Sequence, residues 1–439
     1  MGRRVVISGL GTVSGFGLGV DDLWSAVMEG RSAIDTIKAF DPSGFPVQIG
    51  AEVPDFKVNK IVPKSYRKAT KVMARDIEFA VAAADLAVRD AGLITPGIDD
   101  SQPRSYEGPR TGAHIGAGLI AAELNELTTA LKEARWDNGE FDIHLWGSEG
   151  INHLTPLWLL KYLPNMLACH VTIIHDSQGP SNTITCGEAS SGLSIGESLR
   201  VIQRDKADLC FCGGCESKVN LMAFYRQILT GRLSTDTDRS PGEVVRPFDT
   251  GATGSAVGEG GGIVMLESLD TARERGAKAY AEVVGFGAGH TVYPQSGGLE
   301  PDPAGKGMVV AMRAALRDAA LSADAIDAIV AFGAGTQSYD NAEAAALKTI
   351  FGDALPKIPI WSSKPYVGNC GAGAGSIDFA IAAKMLSEQA IPARINCDNP
   401  IDGLNAKSSG SQSADLNHVM ITSTSLGGQN VALILRKYE

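Results

Sequence analysis

Val5-Val6-Ile7-Ser8-Gly9-Leu10-Gly11 opens the chain, and Tyr280-Ala-Glu-Val-Val-Gly-Phe-Gly-Ala-Gly289 repeats its plan about 275 residues later. Each is a short apolar run broken by glycines, the pattern of a buried strand running into a turn. Between and after them, apolar runs alternate with stretches of three- and four-residue apolar spacing. In the first half, 71–92, 120–135 and 190–204 read as helices, while 114–118, 171–175 (VTIIH), 208–213 and 264–267 read as strands. Residues 98–109, 136–155 and 234–250 read as irregular or loop segments. The second half gives helices at 305–320, 340–351 and 373–388, and strands at 328–332, 358–363, 419–423 and 431–435. Strands alternating with helices predict an α/β layered fold. The two similar openings predict a duplicated unit, with an N-terminal half over 1–267 and a C-terminal half over 268–439.

Composition narrows the function. Of 439 residues, 44% are hydrophobic and 20% charged, a globular balance that allows a sizeable core. The formal net charge of -11 argues against a nucleic-acid binder and against binding to an anionic membrane. No apolar stretch approaches the ~18 residues of a membrane span. MGRRVVISGLG lacks the long apolar region and cleavage site of a signal peptide, which predicts a cytoplasmic location.

Seven cysteines, an odd number, do not suggest a disulfide scaffold. Cys210 and Cys212 lie two apart on an apparent strand with Cys215 in the turn beyond, so they read as core residues rather than metal ligands, and no metal site is predicted. Gly258-Glu-Gly-Gly-Gly262 lacks the lysine and hydroxyl residue of a phosphate loop and reads as a place of close backbone approach. Cys186 admits a nucleophile at a helix N-terminus or a small buried turn residue, and spacing does not choose between them. Lys57, Lys60, Lys64, Arg67, Lys68, Lys71 and Arg75 form an acid-free basic block, and those from Lys64 to Arg75 are spaced as one helix face. Such a face is either simply solvated or a docking patch for an acidic partner.

Gly179-Pro-Ser-Asn-Thr-Ile-Thr-Cys-Gly-Glu-Ala-Ser-Ser-Gly192 resembles the nucleophile elbow of elongating β-ketoacyl-acyl-carrier-protein synthases. The similarity continues through Arg246-Pro-Phe-Asp249, Gly258-Glu-Gly, Ala342-Glu-Ala, Lys348-Thr-Ile-Phe-Gly352, Ser362-Ser-Lys364, Asn396-Cys-Asp-Asn-Pro400 and Gly427-Gly-Gln-Asn430. In this order the segments cover essentially the whole chain. The resemblance implies a duplicated thiolase-like fold with αβαβα layers, a dimer, and no cofactor.

It also implies a cysteine that takes the acyl group and two histidines that assist malonyl decarboxylation. Carried over residue by residue, the cysteine place, nine residues after Gly179, is Glu188, and Ile195-Gly196 holds that register; Cys186 falls two residues early. The histidine places are Phe332, within Val330-Ala-Phe-Gly-Ala334, and Asn369, after Gly368. Lys364 is kept. The gating phenylalanine is replaced by Leu426, before Gly427. Thr336 matches one of two threonines that touch pantetheine, and Ala334 stands at the other. Lys64, Arg67 and Lys68 match a Lys-x-x-Arg-Lys run that contacts the acidic carrier protein.

With nucleophile and histidines replaced, condensation by this chain alone is not expected; loss of one oxyanion-type donor already costs about 10²–10³ in rate. The pattern is similar to chain-length-factor subunits, which pair with an active synthase in polyketide and related synthesis, although those carry Gln where this chain has Glu188. The expected role is a non-catalytic subunit that binds acyl carrier protein and pairs with an active ketosynthase. Two alternatives stay open. One is an altered acyl-carrier enzyme, such as a malonyl decarboxylase using Glu188, Asn369 and Lys364, with the Glu188 carboxyl pushed up by burial. The other is a non-enzymatic acyl- or carrier-binding homodimer.

Overall fold

The computed structural model describes residues 2–439. One 13-stranded sheet runs in the order Ile360–Trp361, Ala328–Val330, His418–Thr424, Gln429–Lys437, Ala281–His290, Val5–Ser14, Val257–Ser268, Leu209–Ser217, Thr111–Ala117 and Ser181–Ile184, with short strands branching off. Read outward from the centre, each half makes two antiparallel pairings and then two parallel ones. The halves join through the two opening strands, where Val6 pairs with Glu282 and Ile7 with Ala281. The duplication is therefore visible in strand order and direction.

Helices complete the layers. Arg75–Asp90 covers the first opening strand from outside, and Lys306–Ala319 covers the second. Ser190–Gln203 and Ala374–Glu388 touch each other in the middle layer. The latter is buried all round from Ala374 to Leu386, which its small residues permit. This is the expected αβαβα arrangement.

The glycines of the opening strands do not make turns. The first strand continues through Gly9 and Gly11 to Ser14. A Cβ at Gly11 would strike the Ala83 carbonyl of the outer helix, and one at Gly287 would strike the Ala311 carbonyl in the other half. The repeated glycines let each outer helix lie directly on the backbone of its strand.

Four other expectations change. VTIIH is the end of the helix Met166–His175, not a strand. Its β-branched residues suit a strand locally, but Leu167, Val171 and Ile174 recur at helical spacing on the buried side while Ile173 is exposed. The strand of this region is Ser181–Ile184, farther along. Cys215 lies within Leu209–Ser217 rather than beyond it, on the opposite face from Cys210 and Cys212. The basic block is not one helix face: Lys64–Tyr66 and Ala69–Val72 are separate 3-10 turns, and the α-helix begins at Arg75. Finally, 136–155 is not wholly irregular, since Asp142 caps a short helix, Ile143–Ser148.

Candidate functional site

Glu188 lies in the 3-10 turn Gly187–Ala189 that leads into the middle-layer helix Ser190–Gln203. Gly187 takes φ 55, the left-handed conformation that turns the chain into the helix. The Ser190 hydroxyl donates to the Gly187 carbonyl at 2.6 Å and accepts from the Cys186 N–H at 2.8 Å. The Ser423 hydroxyl donates to the Glu188 carbonyl at 2.9 Å. The turn is thus held from both halves of the fold, and Glu188 is buried at its head, 4% exposed.

Two donors converge on the carboxylate. Arg232 donates to Glu188 Oε1 at 2.7 Å, and the Asn369 amide donates to the same oxygen at 3.0 Å. Asn369 is fixed by its own backbone, which donates to the Ala256 carbonyl, and by its Oδ1, which accepts from the Gly371 N–H at 3.0 Å. That contact sets the amide so that its NH₂ faces Glu188. Arg232 is anchored where the Ser255 N–H donates to its carbonyl at 2.9 Å, and its guanidinium lies 5.4 Å from the centre of the Tyr339 ring.

Burial alone would push the Glu188 carboxyl up, as the sequence led us to expect. The adjacent Arg232 charge and the hydrogen bonds from Asn369 and Arg232 outweigh burial and hold it down, to about 2. Glu188 is an ionised, doubly hydrogen-bonded carboxylate rather than a poised acid or base. The Cys186 thiol is half-buried and pushed up by burial, the opposite of an activated thiolate.

The other expected residues form a neighbouring cluster. Phe332 is buried, and its N–H and that of Gly333 donate to the two oxygens of Glu343 at 3.0 and 2.9 Å. Lys364 lies fully buried, 2.7 Å from Asp378 and 4.9 Å from the centre of the Phe332 ring. Its charge is answered by Asp378, so Lys364 does not join Asn369 on Glu188. Tyr339, 6.5 Å from Phe332 between ring centres and packed under Arg232, links the two clusters.

Leu426 borders a cavity of ≈ 420 Å³ that is also lined by Leu119, Pro164, Glu188, Lys218 and Arg232. Gly427, at φ 90 in the same hairpin, accepts from His290 at 3.0 Å rather than bordering that cavity. Thr336 and Ala334 line a small void beside Asn369, where the Thr336 hydroxyl has no hydrogen-bond partner. A larger groove of ≈ 800 Å³ lies apart from these groups, beside Arg31, Lys38, Asp76 and Glu123. Among the described residues, no group of three or more His, Cys, Asp or Glu side chains could hold a metal ion.

Lys64, Arg67 and Lys68 are exposed, and Tyr66 between them is half-buried and hydrogen-bonds His170 at 2.8 Å. None of the three forms an ion pair among the described residues. Arg75, grouped with them by spacing, is different: it is turned inward onto the buried Glu259.

Arg232 was not singled out from the sequence. A buried carboxylate demands a cation, but nothing in Thr230-Gly-Arg-Leu-Ser234 says that this arginine supplies it.

Residues 2–272 match the family model described as Beta-ketoacyl synthase, N-terminal domain, and residues 280–398 match its C-terminal domain. The chain belongs to the β-ketoacyl synthase family. It is 32% identical to 3-oxoacyl-acyl-carrier-protein synthase 2 of Coxiella burnetii (strain RSA 493 / Nine Mile phase I) over 99% of both chains. It is 30% identical to the protein of the same description in Staphylococcus aureus (strain N315), over 100% of this chain and 99% of the other. Among solved structures it is similar to a Beta-ketoacyl synthase from Burkholderia phymatum STM815, at 27% identity and a TM-score of 0.84, and to the ishigamide ketosynthase/chain length factor, at 28% and 0.83. Both matches cover 100% of each chain. The duplicated thiolase-like fold is thus that of the ketosynthases. No helix among the described residues is long and apolar enough to cross a membrane.

Proposed function

We propose that this chain is a ketosynthase-like subunit of fatty acid or polyketide elongation that does not condense acyl chains alone and works beside an active β-ketoacyl synthase. The observation that carries this reading is the Glu188 carboxylate, locked by Arg232 and Asn369 at the head of the middle-layer helix. An anion whose charge is shared with two donors is a weak nucleophile, and the anhydride it would form stores an acyl group poorly. Among the described residues, no histidine lines the cavity at Glu188 or the void at Asn369. His114, His170 and His175 bond Ser198, Tyr66 and Thr95, while His290 and His418 bond the backbone at Gly427 and Ala325. His144 and His153 lie on the surface segment 143–153.

Features of the surface support a paired subunit. Ser181–Ile184 is the last strand of the sheet, hydrogen-bonded on one side only. Large apolar side chains stand exposed at Leu119, Leu159, Ile173, Tyr225 and Leu229. An open edge with exposed apolar residues suits a partner subunit. The unpaired Lys64, Arg67 and Lys68 suit an acidic acyl carrier protein, which would reach them by charge steering.

The test is to purify the chain alone and together with a candidate synthase, and to assay 3-oxoacyl formation from acyl and malonyl carriers. Product is expected only from the pair. Robust condensation by the chain alone overturns the reading. Release of CO₂ from malonyl carrier by the chain alone, abolished in Glu188→Gln, would replace it with a decarboxylase.

A further inference from the structure

Among the described residues ten carboxylates are buried, and seven of them are ion-paired with a lysine or arginine. Two of the remaining three are answered by backbone donors. Asp340 accepts from the Phe248 and Gly335 N–H groups, and Glu343 from those of Phe332 and Gly333 and from the Thr422 hydroxyl. Asp76 is the exception. It is 2% exposed, has no ion-pair partner among the described residues, and takes one hydrogen bond from another residue, at Oδ1 from the Ser217 N–H at 3.0 Å. A buried carboxylate without a cation is costly. Burial and the charge of Glu216 push this one up, to about 7.

Asp76 also borders the groove of ≈ 800 Å³ that lies apart from Glu188. Around it the groove is apolar, with Val53, Ala121 and Val219 buried and Phe16 and Phe40 half-buried. Every cation at the groove is already paired with a carboxylate: Arg31 with Glu29, Lys38 with Asp35, and Arg75 with Glu259. Asp55 and Glu123 stand exposed on the rim with no ion-pair partner among the described residues. An anion approaching this groove meets unpaired carboxylates, whereas a cation is drawn in by them and finds the buried one inside.

We propose that this groove binds a small organic ammonium ion, a primary amine on an apolar body about the size of one aromatic ring, whose charge is received by Asp76. The amine supplies the cation that the fold withholds, and its apolar body can rest against Phe16, Phe40 and Val219. Pairing keeps Asp76 ionised, so an ammonium ion that binds where Asp76 is protonated releases that proton to solvent. Asp76 is faced by Cys215, Glu216 and Lys218 from one strand, by Glu259 from the next and by Arg75 beside it. No histidine borders the groove; His170 and His175, on the helix packed against that of Asp76, bond Tyr66 and Thr95.

The test titrates 2-phenylethylamine, neutral 2-phenylethanol and anionic 3-phenylpropanoate into the wild-type protein, Asp76→Asn and Asp55→Asn/Glu123→Gln, by calorimetry at pH 6, 7 and 8. At pH 8 the wild type should bind the amine about tenfold or more tighter than the alcohol, and the carboxylate weakest. Its affinity for the amine should rise about tenfold from pH 6 to pH 8. At pH 6 about one proton should leave per amine bound, read from buffers of different ionisation enthalpy. Asp76→Asn keeps the shape of the side chain and should lose both the preference for amine and the pH dependence. The rim variant should lose about threefold or less, and only at low salt. Should Asp76→Asn not fold, the proton release and pH dependence of the wild type decide.

The proposal is overturned by a wild type that does not prefer the amine or binds it equally at pH 6 and 8, and by a preference that survives in Asp76→Asn. A rim variant that loses as much as Asp76→Asn overturns it too, since the cation would then sit on the rim. The groove shares no lining residue with the cavity at Glu188, so condensation by the chain alone would end the reading of function and leave this site untouched.

Discussion

Arg232→Ala removes the cation that is ion-paired with the buried Glu188 carboxylate, and the size of its effect follows from the site. The wild-type Glu188 carboxyl lies at about 2, against 4.5 for an ordinary glutamate. That gap corresponds to roughly 3 kcal/mol of stabilisation at neutral pH. Because the folded value is depressed, the stabilisation is complete above 4.5, is lost only as pH falls toward 2, and is flat between pH 5 and 7. In the variant the sign reverses. Burial remains and the cation is gone, so the carboxyl is raised above 4.5 and the folded protein prefers the neutral form. At pH 7 it must take up a proton that the unfolded chain does not bind, at a cost of about 3 kcal/mol, in addition to the roughly 3 kcal/mol of wild-type stabilisation that is lost, so the deficit at pH 7 lies at or above the ~3–5 kcal/mol found when a buried pair loses one partner. At pH 5 the same uptake costs under about 1 kcal/mol. Urea unfolding followed by tryptophan fluorescence at pH 5, 6 and 7 should show the variant less stable at pH 7 and the deficit shrinking by about 1.4 kcal/mol per pH unit on acidification. Asp76 and Asp340, pushed up by burial to about 7 and about 8, titrate in both proteins and cancel in the difference. A variant as stable as wild type at pH 7, or one with the same deficit at pH 5 and 7, refutes the locked-carboxylate account.

Three further outcomes are expected. Glu188→Cys places a thiol beside Arg232, so it should alkylate with iodoacetamide at pH 7 faster than Cys186, by peptide mass spectrometry, yet form no condensation product, because Phe332 and Asn369 supply no imidazole. Reversing charge at Lys64, Arg67 and Lys68 together should weaken acyl-carrier-protein binding by about tenfold or more at low salt and much less at ~0.5 M salt, measured by calorimetry. Gly11→Ala and Gly287→Ala should each destabilise by about 1–3 kcal/mol in urea unfolding, since the added methyl meets a helix carbonyl in either half.

Those two glycines also show why the fold was legible. A strand that must lie against a helix backbone carries glycine wherever the helix crosses it, so the requirement is written in residue type and repeated in both halves. Alternating strand and helix periods gave the layers for the same reason: burial imposes them locally. VTIIH failed because its five residues contain no such constraint. Their helical state is set by Leu167 packing upstream and by Ser181–Ile184 taking the parallel pairing next to Thr111–Ala117. The basic block failed similarly, since a three- and four-residue spacing of lysines does not ask for a helix when nothing apolar follows the same period.

The site was legible only as far as register extends. Counting from Gly179 pointed to Glu188, and Gly368 to Asn369, and the structure brings these two side chains into hydrogen-bond contact. The partner that decides the chemistry, Arg232, comes from a different segment and meets Glu188 only in three dimensions. Without it, burial would raise the carboxyl toward the range of an acid or base; with it, the same carboxyl is held well below the usual carboxylate range. A side chain's type and address therefore leave its function open by the width of one ion pair. What sets the state of this carboxylate is a contact with an arginine 44 residues downstream, which no local pattern around Glu188 announces.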